Sequence, residues 1–129
     1  MQSINHVIIS GNLTRDAEMK ALPSGTPVAE FGMAVNDRVK EGNDWKDRPN
    51  FIDCAYFGNG AQALYDRGRL VKGARVVVEG RLRYESWTQD GQTRSKLKVV
   101  AERIEVMTDL RTQQYAQPVG EPAYTDIPF

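Results

Sequence analysis

Apolar and polar residues alternate with period two along much of this sequence, and turn residues interrupt the alternation at intervals. That spacing sends successive side chains to opposite faces of an extended chain, so short strands are expected rather than helices. Ile4 to Leu13 is rich in β-branched residues (Ile4, Val7, Ile8, Ile9), and Gly11 inside it predicts a bulge or a sharp bend. Pro23-Ser24-Gly25 makes a turn. Ala29, Phe31, Met33 and Val35 then alternate with Glu30, Gly32, Ala34 and Asn36 as a second, half-buried strand. The charged stretch Asp37 to Pro49, with Gly42-Asn43-Asp44, reads as an exposed hairpin loop. Phe51 to Phe57 is a third strand, and Gly58-Asn59-Gly60 turns it into the one helical pattern, carried by Ala61, Leu64, Tyr65 and Leu70. Gly68 weakens the last turn of that helix and Gly73 marks its exit. Arg75 to Tyr84 and Arg94 to Val106 are two long strands, with the hairpin signal Asp90-Gly91 between them.

Five strands with a helix between the third and fourth match the order of a five-stranded Greek-key OB-fold barrel, an all-β architecture. Immunoglobulin-like sandwiches need about seven strands and no such helix, and fit less well. A chain of 129 residues suffices for one such core. After Met107 the character changes: Gln113, Gln114, Gln117 and the prolines 118, 122 and 128 predict a polar, disordered tail. The expected division is a folded unit over 1–107 and a tail over 108–129. No apolar run approaches the roughly 20 residues of a membrane span, and no secretory signal is read at the N-terminus. The single cysteine, Cys54, excludes an internal disulfide and fits a cytosolic compartment.

Lysines and arginines balance aspartates and glutamates at 17 each, yet the charge is unevenly spread. Residues 1–66 hold six basic against nine acidic residues, 67–103 hold ten against four, and 104–129 hold one against four. A basic block inside a neutral chain is a candidate electrostatic footprint for a polyanion. Alternation assigns its members to faces. Arg75, Arg81 and Arg83 share one side of their strand, joined by Trp87 if no bulge intervenes, while Val76, Val78, Leu82 and Tyr84 share the other. Arg94, Lys96 and Lys98 stand opposite Leu97, Val99 and Ala101. Each strand thus presents a basic row with an apolar row behind it. In the third strand Phe51, Asp53, Ala55 and Phe57 share a face, opposite Ile52, Cys54 and Tyr56. Aromatic rings among cations suit single-stranded nucleic acid, since any base offers a π-face worth roughly 1–3 kcal/mol when stacked and the cations neutralise the phosphates between.

No catalytic constellation emerges. His6, the only histidine, has no Cys or His neighbour for a metal site. Cys54 alternates with Ile52 and Tyr56 as a small buried hydrophobe. No phosphate-cradling glycine loop of the P-loop or dinucleotide type occurs, and the carboxylates lack a nucleophile to serve. No cofactor is expected.

Several stretches, in order, resemble the bacterial single-stranded DNA-binding proteins. They are Asn5-His6-Val7-Ile8-Ile9-Ser10-Gly11-Asn12-Leu13, Ala55-Tyr56-Phe57-Gly58, Lys72-Gly73, Val78-Glu79-Gly80-Arg81-Leu82, Tyr84-Glu85-Ser86-Trp87-Thr88 with Asp90-Gly91, and the closing Asp126-Ile127-Pro128-Phe129. The resemblance implies a homotetramer of OB folds, cytoplasmic and associated with the nucleoid, that wraps single-stranded DNA in replication, recombination and repair. It implies base stacking on Phe51, Phe57 and Trp87. A fourth stacking position of the family falls on Val39, and whether the nearby Trp45 substitutes for it is open. Phosphate contacts are expected from Arg75, Arg81, Arg83, Arg94, Lys96 and Lys98. The tip Asp126, Ile127, Pro128 and Phe129 is expected to dock on replication and repair proteins, its ring and carboxylate suiting an apolar pocket rimmed by basic residues. The acidic run before it is thin here, which weakens the electrostatic part. Two other uses of such a barrel stay open: an adaptor that binds only proteins, and a cold-shock-like RNA binder.

Overall fold

A computed structural model describes residues 1–107, and the expected tail with its tip Asp126 to Phe129 lies outside the described residues. The elements run β1 (Val7–Leu13), β2 (Glu18–Ala21), β3 (Pro27–Glu41), β4 (Asp44–Phe57), α1 (Asn59–Asp66), β5 (Arg75–Gln89) and β6 (Gln92–Val106). The sheet order β1-β5-β6-β4-β3-β2 closes on itself because β1 also pairs with β3. Five strands therefore form a closed barrel with one helix before its last hairpin, as the strand order predicts. The four-residue β2, an addition to the expected count, pairs with the start of β3.

Closure depends on Gly11. Strand β1 pairs with β5 through Asn12 and then with β3 at Asn12 and Leu13, so its backbone must lie almost on that of β3. A methyl group at Gly11 would run into the carbonyl oxygen of Ala34. The bend expected at Gly11 is this switch of partners; the bulge lies elsewhere. Glu79 pairs with Arg103 but Gly80 pairs with Ala101, which leaves Glu102 as the extra residue on β6 and adds local twist there.

The inward row holds the core: Phe31, Met33, Val76, Val78 and Val99 are buried, with Leu70 capping one end. Leu70 lies beyond α1 rather than in it, since Gly68 (φ +68°) ends the helix. Asp90 and Gly91 both take positive φ, and the two-residue turn joins β5 to β6 as expected.

The charged stretch 37–49 is not a loop. Strands β3 and β4 continue through it as paired arms from Asn36↔Pro49 to Glu41↔Asp44, closed by a turn whose Gly42 has φ +61°. Most side chains of the arms are exposed, so no apolar alternation marks them in the sequence, and the backbone ladder alone carries the extension. Among the described residues no helix is long and apolar enough to cross a membrane.

Candidate nucleic-acid interface

Directly opposed residues in a ladder share a face, so the registers define the outer surface of the sheet. Arg81, Arg83, Glu85 and Trp87 of β5 oppose Val100, Lys98, Lys96 and Arg94 of β6. Ala55 of β4 lies beside Val100 in the parallel pairing of β4 with β6. Phe51, Asp53 and Phe57 follow Ala55 by alternation, and all point away from the buried Cys54 and Val99. The β3–β4 ladder runs without a register shift to the tip, which puts Trp45 on the side of Phe51. Val39 opposes Lys46 and so lies on the other side. Trp45 and Val39 therefore stand on opposite sides of the hairpin.

The rings on this surface are open. Phe51 is 74% exposed, Trp45 58% and Trp87 40%, while Phe57 is half-buried. Cations overlie two of them: the Arg83 guanidinium lies 6.0 Å from the Phe57 ring centre and the Lys96 ammonium 5.9 Å from that of Trp87. Both separations sit at the edge of cation–π range.

Carboxylates share the surface with these cations. Lys96 Nζ donates to Asp53 Oδ2 at 3.0 Å, Lys98 pairs with Glu85 at 3.0 Å, and Arg81 with Glu102 at 3.6 Å. Lys98 is the one buried charged side chain among the described residues. Below it a cleft of about 100 Å³ is lined by Arg15, Glu30, Asp53, Glu85, Lys96 and Lys98, with Phe31 and Cys54 also at its wall. Lys20 bonds Glu30 at 2.6 Å and holds that carboxyl below the usual carboxylate range, with Lys98 and Lys96 adding to the effect.

Arg15 is a cation that alternation does not assign to this surface. Its guanidinium lies over Gly32, where a Cβ would meet it, and Gly32 opposes Asp53. The missing side chain at 32 is the only sequence signal for it. Arg75, by contrast, stands twelve residues before Trp87 on β5, opposite Asn12, at most roughly 40 Å along the strand. The other five expected phosphate contacts share the face with the rings.

The apolar row behind the basic one is only partly interior. Val76, Val78, Val99 and Ala101 are buried, but Leu82, Tyr84 and Leu97 are 44%, 65% and 62% exposed. They lie past the bulge, where the β5–β6 hairpin extends beyond the barrel and its inner side loses its cover. Asn5 fastens the base of this hairpin: its side-chain amide donates to the Leu82 carbonyl and its oxygen accepts from the Leu82 N–H, both at 2.9 Å. His6 precedes β1 and lies 3.3 Å from Glu79. Cys54 is buried, and desolvation pushes its thiol up to about 12. Among the described residues no group of three or more His, Cys, Asp or Glu could hold a metal ion.

A closed five-strand barrel with its helix before the last hairpin, and with rings and cations spread over one outer sheet face, defines an OB-type module. Within that class the chain belongs to the single-strand binding protein family, whose model matches residues 4–107. It is 39% identical over 107 residues to a single-stranded DNA-binding protein of Treponema pallidum, covering 83% of this chain and 60% of that protein. A single-stranded DNA-binding protein of Borreliella burgdorferi is 40% identical over 111 residues, covering 84% of this chain and 72% of the relative. Among solved structures, a deletion mutant of the single-stranded DNA binding protein from Thermus aquaticus superposes with a TM-score of 0.70 at 29% identity, over 84% of this chain and 52% of that one. The chain thus spans between about half and three-quarters of the length of these relatives.

Proposed function

We propose that this chain binds single-stranded DNA without reading its base sequence. Bases stack on Phe51, Phe57 and Trp87, with Trp45 extending the row along the β3–β4 hairpin. Phosphates are held by Arg81, Arg83, Arg94, Lys96 and Lys98, with Arg15 a further contact. The observation that carries this reading is the shared outer face, on which three open or half-open rings stand beside cations rather than inside the barrel. Stacking is indifferent to base identity, so tolerance of sequence follows. Arg75 is distant from the rings and serves only a strand that wraps further round the barrel.

The wider role is protection of single strands in replication, recombination and repair by a cytoplasmic, nucleoid-associated homotetramer. The tip Asp126 to Phe129 recruits partner proteins in that role. Family membership and the motif Asp126-Ile127-Pro128-Phe129 support these parts. The direct test is oligo-dT binding at low salt, with RNA of equal length as competitor. Binding to neither strand favours the adaptor reading, and a preference for RNA favours the cold-shock-like one.

A further inference from the structure

Three of the proposed phosphate cations, Arg81, Lys96 and Lys98, already face a carboxylate, and the two lysines do so at the shorter distance. Lys96 is held by Asp53 and Lys98 by Glu85, each at 3.0 Å, and both carboxylates share the outer face with the rings. Asp53 stands between Phe51 and Phe57 on β4, where a polyanion-binding strand gains nothing from a negative charge unless that charge has a task. Glu85 stands two residues from Trp87, on the same side. We propose that Asp53 and Glu85 are built-in competitors of phosphate, so that a strand binds here by exchanging two resident ion pairs for two phosphate contacts. This rests on the reading of the face as a single-strand site and adds specificity residues to it.

The exchange has a physical consequence. A phosphate reaching Lys96 must displace the Asp53 carboxylate, which then repels it and takes up a counterion from solution. The net release of ions, and with it the electrostatic gain, is smaller than for a bare lysine. Charge attraction alone is thereby blunted, and a ligand with bases to stack is favoured over one held by charge only. The cost is modest, because the Lys96–Asp53 pair is about half exposed and such pairs contribute little. The Lys98–Glu85 pair is better shielded, with the lysine side chain 10% exposed, and is the stronger competitor.

The experiment is an oligo-dT titration of the full chain and its variants at fixed salt, with thermal melts to confirm folding. Asp53→Asn is expected to tighten binding by roughly 2- to 5-fold, the span that a half-exposed pair supports, and Glu85→Gln, which frees the better shielded lysine, by at least as much. Glu105→Gln is the control for a general change of charge: it breaks a pair with Arg103 away from the rings and should tighten binding less. The decisive step is the same titration over a range of salt in a cycle with Lys96→Ala: Asp53→Asn should steepen the fall of affinity with salt, because no displaced carboxylate takes up an ion, and that steepening should vanish in Lys96→Ala. A steepening that persists in Lys96→Ala, or that Glu105→Gln matches, overturns the exchange. Weaker binding by Asp53→Asn also overturns it, since Asp53 then positions Lys96. Wild-type chain that does not bind oligo-dT defeats the single-strand reading together with the exchange, whereas wild-type binding with unchanged variants defeats the exchange alone.

Discussion

Removal of the Phe51 ring separates binding from folding more cleanly than any other change on the face. At 74% exposure, the fold covers only about a quarter of a side chain that offers roughly 200 Å². Some 50 Å² of covered surface, at ~25 cal/mol per Å², limits the stability cost of Phe51→Ala to about 1 kcal/mol. The open remainder is available to a base, and loss of one stacked base costs roughly 1–3 kcal/mol, or about 5- to 150-fold in Kd. The half-buried Phe57, with Arg83 over its ring, should lose both stability and affinity when changed to Ala. Paired measurements of thermal midpoint and oligo-dT affinity on the two variants read the difference. A Phe51→Ala chain that melts like wild type and binds oligo-dT as tightly would refute stacking at this position. A large fall in its melting temperature would refute the assignment of its ring to open solvent.

Further outcomes follow from other residues. The logarithm of affinity for single strands should fall linearly with the logarithm of salt, by about 0.7 per phosphate neutralised, and Arg83→Ala should flatten the slope by about that amount in the same titration. Gly11→Ala should destabilise the chain by at least about 2 kcal/mol in a denaturant melt, because the methyl meets backbone that cannot give way. Cys54 should resist thiol reagents at pH 8 until the protein is unfolded, since burial keeps the thiol protonated. The thiol's folded value lies above its ordinary one, so its contribution to stability holds below about pH 9 and is lost as pH climbs toward about 12. Deleting Asp126 to Phe129 should abolish capture of a partner enzyme in a pull-down while DNA affinity holds or rises.

Most of the barrel could be read from the sequence because its inward rows are strongly apolar: Phe31 and Met33, Val76 and Val78, Val99 and Ala101. Asp90-Gly91 was legible as a turn because few residue pairs accept two positive φ values. The long arms of β3 and β4 were not, since a ladder exposed on both sides leaves no alternation to find. Parity told which side chains share a face but not whether that face is covered. It therefore grouped Phe51 with Phe57 and Trp87 with the cations, yet sent Leu82, Tyr84 and Leu97 inside when the hairpin carries them past the barrel. Arg15 was hidden for another reason: it comes to the face from the segment after β1, across the gap left by Gly32, and only the closed fold brings them together. The ion pairs of Asp53 and Glu85 also depend on strand register, which no single strand reveals.

The most direct test is intrinsic tryptophan fluorescence during titration with oligo-dT and, in parallel, with an abasic strand of the same length. The two strands carry the same phosphates, and only one carries rings to lie against Trp87 and the phenylalanines. Oligo-dT is expected to quench the emission and to bind at least tenfold more tightly than the abasic strand, with Trp87→Ala removing most of the quenching. Equal affinity and equal quenching for the two strands would contradict stacking as the basis of binding.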